Sequence, residues 1–534
     1  MAMNHESRPG CASLKDDRAQ AWVLALVLLA LAAVYLPFVG RGFVSDDFIW
    51  LRESLQDGRI DLSRTFFATT GFFRPMVGLS FALQRLLHGM DPRPYGLFNL
   101  LLHLLNVILA FRLLRRWDRT RPLAAWGALL FALSLKPAGM AVGWISGRSD
   151  LLFSFFTLLA FASCPIGGKT AGGPFAPARH LPCAALFLAA LLSKETAVAA
   201  PLFVFLFAFL GLRDDPPPGS ATQRFSRGLR AASPFLVSGV IYFLMRFRSD
   251  AFTPTSAPAY YRFSLSPLRF LNNLGEYVTR SALLEILLLL LWLGYLLVRR
   301  RRPAWRSGPA ERAVIAAGLL WFLCFLLPCL FLEARSDLYA YLPQLGLHAA
   351  FLAWLAGRST LAAESRPLPG WPRSLSWPLI LLLGGWATFI GYQARTRSLP
   401  ARAGAAFTRQ MAAFAEKLSP GKRVLVVDAQ AGERTAPSRV VGYGLEAMLS
   451  LLAPGKKLRG EFVPIDDAGR LMAESPRACV PFLWENGELQ PLRRSRHARP
   501  GKPVRLVTSA RGEGPARASA GSRRDRRPSP RTRR

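Results

Sequence analysis

The segment AWVLALVLLALAAVYLPFV, residues 21–39, decides the fold class, because none of its side chains is charged and the run is unbroken. A bilayer has a hydrocarbon core about 30 Å thick, which a helix rising about 1.5 Å per residue crosses in about 20 residues. The run LLEILLLLLWLGYLLV, residues 283–298, is nearly as long, and 51% of the chain is hydrophobic. The sequence therefore predicts a polytopic all-α membrane protein.

The apolar runs predict about eleven transmembrane helices, of which the fourth and fifth are short. We expect the first run to be retained as a span, because it is too long for the core of a signal peptide and no small-x-small cleavage site follows it. The predicted spans are 22–39, 96–114, 123–142, 150–165, 181–193, 196–212, 233–247, 282–298, 313–332, 338–357 and 376–392.

The distribution of basic residues predicts the orientation of these spans. The short loops RLLRRWDRTR (112–121) and VRRRRPAWR (298–306) are rich in arginine, and such loops tend to stay in the cytoplasm. With eleven spans and a cytoplasmic N-terminal segment (1–21), both loops fall inside, as do the loops 212–230 and 357–373. We therefore expect a multi-pass protein of a bacterial cytoplasmic membrane.

The same topology places the remaining ionisable clusters on the outer side. Such groups at membrane depth are expensive to bury and are functional candidates by default. Their collection on one face points to a site there. The outer segments are the loop 40–95 with Asp46, Asp47 and FFRPM (72–76), then GWISGRSD (143–150), SKE (193–195), the loop around 249–281 and EARSDLYAY (333–341).

A polar stripe marks the second predicted span. In FNLLLHLLN, the residues Asn99, His103 and Asn106 are spaced by four and three, so they share one helix face. Hydrogen bonding between helices would account for the stripe, and so would direct contact with a ligand. The residue pattern leaves both interpretations open.

A small soluble α/β domain is predicted to follow the last span, over residues 394–492 on the outer face. Residues 405–418 and 440–452 have helical patterns, and KRVLVV (422–427) is typical of a buried strand. Asn486-Gly487, inside FLWENGELQPL, predicts a two-residue hairpin turn. From 493 to 534 the chain has fifteen Lys and Arg residues against two acidic ones, and we expect a disordered basic tail.

Five motifs in order resemble the GT-C membrane glycosyltransferases, and in particular their protein O-mannosyltransferase-like branch, which includes the transmembrane and tetratricopeptide-repeat proteins and bacterial relatives. The resemblance covers about residues 20–395, which implies a GT-C-like transmembrane domain over 22–393. The repeats of the eukaryotic relatives are absent from this sequence. The motifs are FVSDDF, FFRPMVGLSFALQRLLHGMDPRPYGLFNLLLHLLNVILA, GRSDLLFSFFTLLA, LLSKETAVAAPL and EARSDLYAYLPQLGL.

The resemblance implies an acidic reaction centre at Asp46 and Asp47, with Asp46 as the leading acid. Transfer of a sugar from a lipid-linked phosphate to a hydroxyl needs a base for the hydroxyl proton and cations for the departing phosphate. Candidate phosphate ligands are Arg335, Arg148, Arg74 and Lys194, and candidate supporting residues are His103, Asn99, Asp150, Glu195, Glu333 and Tyr339.

Local structural roles compete with each of these assignments. Ser45 is a candidate N-cap for a helix whose first turn holds the two aspartates. Arg74 is a candidate interface anchor, Lys194 and Glu195 a candidate local ion pair, and GRSD a candidate turn and helix start. Arg335 would form a salt-bridge network with its neighbours Glu333 and Asp337.

The leading functional hypothesis is transfer of a sugar from a polyprenyl-phosphate donor to an acceptor hydroxyl of a protein or an envelope glycan or lipid. The expected partners are that donor, membrane lipids and the acceptor, with no nucleic acid. No residue spacing indicates a metal site, while a need for a divalent cation is left open. The alternatives are a transporter or flippase of a lipid-linked or anionic solute, and a non-catalytic envelope assembly factor.

Overall fold

A computed structural model describes residues 10–67, 71–117, 120–134, 136–164, 177–212, 219–252, 258, 261–298, 300, 308–365, 373–494 and 506–508. Helices dominate this part of the chain up to Ala415. The helices are α1 Gly10–Tyr35, α2 Asp46–Ser54, α3 Leu62–Phe67, α4 Pro75–His88, α5 Pro92–Leu114, α6 Ala124–Ala132, α7 Pro137–Gly143, α8 Arg148–Ser163, α9 Pro177–Leu191, α10 Ala200–Phe209, α11 Ala221–Phe247, α12 Pro267–Val298, α13 Pro309–Leu330, α14 Gln344–Ser365, α15 Arg373–Ala415, α16 Pro437–Val440, α17 Leu445–Leu452 and α18 Ile465–Glu474.

Six of these helices are long and apolar enough to cross a membrane, and the bent pair α6–α7 makes a seventh. Three shorter apolar helices coincide with further predicted spans: His180–Leu191, Glu195–Phe209 and Gln344–Ala356. A multi-pass helical membrane protein is therefore confirmed, while the number eleven stays a prediction. The eleventh predicted span lies inside α15, and the basic loop 298–306 lies largely outside the described residues. The predicted loop 357–373 is helical up to Ser365, where α14 ends, and helical again from Arg373, where α15 begins.

Close helix packing builds the membrane core. The backbones of α13 and α14 touch at two glycines: a Cβ atom on Gly318 would lie 2.4 Å from the carbonyl oxygen of Gly346. Small residues allow such contact between membrane helices. Beside them, the rings of Phe161, Phe203 and Trp321 pack with centroids 5.1–5.7 Å apart.

A five-stranded sheet follows α15, which confirms that a small α/β unit is present. The strands are β1 Arg423–Asp428, β2 Arg459–Phe462, β3 Cys479–Glu485, β4 Glu488–Arg494 and β5 Leu506–Thr508, in the order β2-β1-β3-β4-β5. β1 pairs in parallel with β2 and β3, and the other pairs are antiparallel. The predicted hairpin turn is present, since Asn486 and Gly487 have φ angles of 52° and 81° between β3 and β4.

Two expectations for this region need correction. The predicted helix at 405–418 is the C-terminal part of the 43-residue α15 rather than a separate element. The chain after 492 is not wholly disordered, because β4 continues to Arg494 and β5 adds a fifth strand. The sequence pattern hid β5 because arginine, proline and glycine surround its three residues. The rest of the predicted tail lies outside the described residues.

The segment before α2 is held against the C-terminal part of the chain. The amide of Ser45 donates to the carbonyl of Val440 at 2.8 Å, and a Cβ atom on Gly444 would lie 2.5 Å from the carbonyl oxygen of Ser45. Nearby, a Cβ atom on Gly42 would lie 2.1 Å from the carbonyl oxygen of Ala401. These contacts fix the start of α2, and with it the two adjacent aspartates, between the membrane helices and the soluble domain.

Candidate active site

The two adjacent aspartates have different surroundings. Asp47 is fully buried, and its carboxylate accepts hydrogen bonds from the amide of Val44 at 2.8 Å and from the amide of Ser146 at 2.8 Å. The Ser146 hydroxyl also donates to it. Asp47 therefore ties α2 to the 3₁₀ turn Ile145–Gly147. Burial raises the pKa of Asp47 to about 7, although the Ser146 and Val44 hydrogen bonds favour its ionised form.

Asp46 is the aspartate that reaches solvent. It is half-buried at the first residue of α2, and the hydroxyl of Ser45 lies 3.5 Å from its carboxylate. Ser45 makes no side-chain cap hydrogen bond, so the predicted capping role of Ser45 is not observed. Burial raises the pKa of Asp46, while the charge of Arg74 and the Ser45 hydroxyl act in the opposite direction. A carboxylate with a raised pKa is a stronger base than an exposed aspartate.

Two ion pairs form what we call the closed cluster: Arg74, which acts on Asp46, with Glu195, and Lys194 with Asp150. The Arg74 guanidinium donates to both carboxylate oxygens of Glu195, at 2.9 and 2.5 Å. The Lys194 ammonium lies 2.5 and 2.6 Å from the two oxygens of Asp150, and both side chains are 3% exposed. The predicted local pair of Lys194 with Glu195 is wrong, because each residue has a partner on another element.

Aromatic rings complete the closed cluster. The Arg74 guanidinium lies 4.3 Å from the ring centroid of Phe72, and the Lys194 ammonium lies 4.9 Å from that of Tyr339. Tyr339 belongs to the 3₁₀ turn Asp337–Ala340, which is the core of the EARSDLYAY motif. Both predicted phosphate-binding cations in this cluster are therefore already neutralised by a carboxylate each.

A second group of charges, which we call the open cluster, joins the EARSDLYAY motif to α12 and α15. Its members are Glu276, Arg280, Arg335, Asp337 and Arg397. Glu276 accepts from Arg335 and, at 2.6 Å, from Arg280. Asp337 accepts from Arg280 at 3.0 Å and from Arg397 at 3.5 Å. Three guanidinium groups thus share two carboxylates, which leaves one net positive charge. The side chains are 17–37% exposed, so this charge is accessible to an anion.

The neighbours of Arg335 differ from those predicted. Its Nε donates to the Asn273 side chain at 2.7 Å, and its partner is Glu276 of α12 rather than Glu333 or Asp337. Glu333 is exposed and lies 3.9 Å from Arg269. The sequence does carry a signal for the true partners, because Asn273, Glu276 and Arg280 recur at spacings of three and four on one face of α12.

Arg148 is not available to a phosphate. It is fully buried, and its guanidinium donates to Asn99 at 3.1 Å, to the Ser80 hydroxyl at 3.3 Å and to the Tyr95 carbonyl at 3.1 Å. The ring centroid of Phe81 lies 4.5 Å from it. Arg148 is therefore not a candidate phosphate ligand. Its hydrogen bonds connect α4, α5 and α8 inside the protein.

The polar stripe of α5 makes contacts between helices. Asn99 donates to the carbonyl of Ile145 at 3.0 Å, and Asn106 donates to the carbonyl of Leu151 at 3.0 Å. His103 Nδ1 and the Tyr341 hydroxyl are 2.6 Å apart. All three stripe residues are fully buried, which favours the structural interpretation over ligand contact.

A buried polar pair inside the membrane domain was not singled out from the sequence. Glu285 of α12 and His348 of α14 are hydrogen-bonded and at most 5% exposed. They line a cavity of about 170 Å³ together with Lys136 and Arg280. Within the part of the chain that the structure describes, no group of three or more His, Cys, Asp or Glu residues is arranged to hold a metal ion.

Comparison with known proteins confirms the resemblance to membrane glycosyltransferases of the GT-C type. The protein O-mannosyl-transferase Tmtc1 of Drosophila melanogaster is 31% identical over 260 residues, which cover 42% of this chain. The chain spans only 28% of the length of that relative. No family model matches the chain.

Structural similarity is also found to two solved structures. ArnT from Cupriavidus metallidurans, in the apo state, is 17% identical with a TM-score of 0.45, covering 87% of this chain and 90% of that one. The Archaeoglobus fulgidus oligosaccharyltransferase is 10% identical with a TM-score of 0.40, covering 83% of this chain and 63% of that one.

Proposed function

We propose that the protein transfers a sugar from a polyprenyl-phosphate donor to an acceptor hydroxyl on the outer face of a bacterial cytoplasmic membrane. One observation carries this proposal: the closed cluster connects a half-buried carboxylate with a net positive, accessible arginine cluster. Arg74 acts on Asp46 at one side, and Lys194 contacts Tyr339, which shares its turn with Asp337 of the open cluster, at the other. A transfer of this kind needs one group to accept a proton and others to stabilise a departing phosphate.

Asp46 is the proposed general base. It takes the proton of the acceptor hydroxyl as the oxygen forms its bond to the anomeric carbon of the sugar. Its neighbour Asp47 already accepts three hydrogen bonds and is closed to solvent. The assignment therefore divides the two aspartates into a base and a residue that positions the base.

The open cluster is the proposed site of the donor phosphate. The bond from the anomeric carbon to the phosphate oxygen breaks, and its electron pair leaves with the phosphate. That phosphate already carries its charge as a stable leaving group, so it requires cations rather than an acid. Arg335 is the most exposed guanidinium of the cluster, and its planar fork can hold two phosphate oxygens.

The closed cluster supports this arrangement without binding the donor itself. With each cation matched to one carboxylate, its charges cancel. Together with Asp46 the cluster carries one net negative charge, which would repel a phosphate. Its proposed role is to hold the segments 72–76, 148–150 and 193–195 in place around the base.

The test is the production of a glycosylated product in cells and the binding of a defined lipid in vitro. Cells expressing the wild-type chain are compared by mass spectrometry of glycans and glycoproteins with cells expressing Asp46→Asn. Asp57→Asn is the matched control, because Asp57 is an exposed aspartate of the same outer loop with a positive φ angle that asparagine tolerates.

Each result has a definite meaning. We expect a new glycan in wild-type and Asp57→Asn cells and its loss in Asp46→Asn cells, with purified wild-type protein binding undecaprenyl phosphate. A product that persists in Asp46→Asn cells would remove Asp46 from the mechanism. Movement of a lipid-linked solute without any new glycosidic bond would favour the transporter hypothesis. The absence of both transfer and transport would favour an assembly factor.

A further inference from the structure

A second arginine-rich surface, which shares no residue with the two clusters, lies where the first outer loop meets α15. It is a cleft of about 870 Å³, and we call it the arginine cleft. Four arginines line it against one acidic residue, Asp91. The arginines are Arg41, Arg93, Arg402 and Arg409.

The charges of the cleft are not neutralised from within. All four arginines are exposed, and within the described residues none forms an ion pair. Arg41 donates to the carbonyl of Pro37 at 2.8 Å, which leaves its charge unmatched. Asp91 accepts from the backbone amide of Arg93 at 3.1 Å, as the N-cap of α5. The cleft therefore has a net charge of three positive units facing solvent.

Tight backbone contacts make the walls of the cleft rigid. A Cβ atom on Gly40, whose φ is +63°, would lie 2.5 Å from the Cα of Arg93. A Cβ atom on Gly42 would lie 2.1 Å from the carbonyl oxygen of Ala401. The arginines thus project from three segments that touch through their backbones, which brings the four charges to one cleft.

The four charges extend outward from the membrane. Arg402 and Arg409 are seven residues apart on α15, so they share a face and differ in height by about 10 Å. Gly42, three residues beyond the first predicted span, touches Ala401 of α15, so Arg41 lies at the membrane edge and Arg409 lies about 12 Å further out along α15. The headgroup layer adds only about 5–8 Å beyond the hydrocarbon. Lipid headgroups alone would therefore leave the outer part of the cleft unfilled.

The lining favours recognition through charge. The cleft is lined by helix and loop residues, and its wall beside the arginines combines small groups such as Gly42 and Ala405 with the apolar side chains of Phe43, Met90 and Leu452. Arginine clusters also bind acidic peptides, so an acidic peptide is the competing ligand in the test. Guanidinium forks match phosphate and carboxylate groups.

We propose that the arginine cleft binds the negatively charged groups of the acceptor, and that the acceptor is an envelope saccharide carrying phosphate or carboxylate groups. The acceptor role rests on the proposed transferase function. Binding of the anionic saccharide does not require transfer, so the two proposals can fail separately.

The test measures binding of labelled tetragalacturonate to the full-length protein in phosphatidylcholine nanodiscs. Neutral maltotetraose and a tetraglutamate peptide of equal charge are the comparison probes. The variant is Arg402→Gln with Arg409→Gln, and the matched control is Arg434→Gln with Arg477→Gln, two exposed arginines of the C-terminal domain outside the cleft.

We expect tetragalacturonate to bind more tightly than maltotetraose or tetraglutamate, and the cleft variant to weaken this binding by about tenfold. The control variant should bind like the wild type, and added salt should weaken binding to the wild type more than to the cleft variant. Size-exclusion profiles verify that the variants remain folded.

Three outcomes would overturn the proposal. Equal binding of tetragalacturonate and maltotetraose would show that charge is not recognised, and equal loss in both double variants would show that the cleft is not the site. Equal or tighter binding of tetraglutamate would assign the cleft to an acidic peptide. Cleft-dependent binding of tetragalacturonate to a protein that shows no transfer would refute the proposed function alone.

Discussion

The closed and open clusters contain the same kinds of side chain and differ in how completely their charges are matched. In the closed cluster, Lys194 and Asp150 are 3% exposed and each cation has its own carboxylate. In the open cluster three arginines share Glu276 and Asp337 at the surface. The comparison teaches that a motif rich in charge is not by itself a binding site. An accessible charge without a matching opposite charge indicates an ion-binding site better than the number of charged residues in a motif does.

The largest effect should come from the carboxylate beside the closed cluster. Asp46→Asn keeps the size of the side chain and removes its basicity, so transfer should fall by about 10²–10⁴ with normal insertion. Transfer rates with saturating donor, normalised to purified protein, measure this. Asp47→Asn should instead lower the yield or melting temperature, since Asp47 accepts three hydrogen bonds in the interior. The opposite pattern would exchange the two roles.

The pH dependence of transfer sharpens the same assignment. Asp46 acts as a base only when ionised, and burial raises its pKa in the folded protein. The rate should therefore be highest above this pKa and fall as the pH decreases through it, about tenfold per pH unit below it. The acid limb should lie above the usual pKa of an aspartate. A profile that rises toward acid pH would contradict a base at Asp46.

Breaking the closed cluster should affect stability more than binding. Lys194→Met leaves Asp150 as an unpaired buried carboxylate, which costs about 3–5 kcal/mol. The melting temperature in detergent should fall, and Lys194→Met combined with Asp150→Leu should recover part of the loss. If the double variant melts no higher than the single one, the pair is not the source of the stability.

Much of the fold was predictable because it depends on local sequence. Apolar blocks predict the helices, and Asn486-Gly487 predicts the hairpin through its positive φ angles. The partners of the charges were not predictable in this way. Arg74 and Glu195 are 121 residues apart, and Arg335 and Glu276 are 59 apart. Their pairing depends on how the helices pack, and the spacing of residues along the chain does not reveal this.

The candidate site shows the same limit at Asp46 and Asp47. Adjacent aspartates are equivalent in the sequence, whereas the turn Ile145–Gly147 buries only the second. The burial of Arg148 was likewise invisible in the GRSD motif. The spacing of Asn273, Glu276 and Arg280 did indicate the α12 side of the open cluster, because those residues share one helix face.

A smaller effect should follow from changing the open cluster. Arg335→Lys retains the charge but not the planar fork, so undecaprenyl phosphate should bind about tenfold more weakly while the melting temperature is kept. Arg269→Lys is the matched control, since Arg269 is also a partly exposed arginine near this motif. Equal affinities for wild type and Arg335→Lys would move the phosphate site to Arg280 and Arg397.

The smallest effect should come from truncating the basic chain end, because neither cluster contains a residue of it. A stop after Thr508 keeps β5 and removes most of the basic residues of the tail, and we expect unchanged melting and transfer. A stop after Leu492 also removes the β4–β5 pairing, whose hydrogen bonds contribute about 0.5–1.5 kcal/mol each. Hydrogen exchange should then become faster at β4 residues, while transfer by Asp46 stays the same. A loss of transfer with the stop after Thr508 would show that the tail takes part in binding the donor or the acceptor.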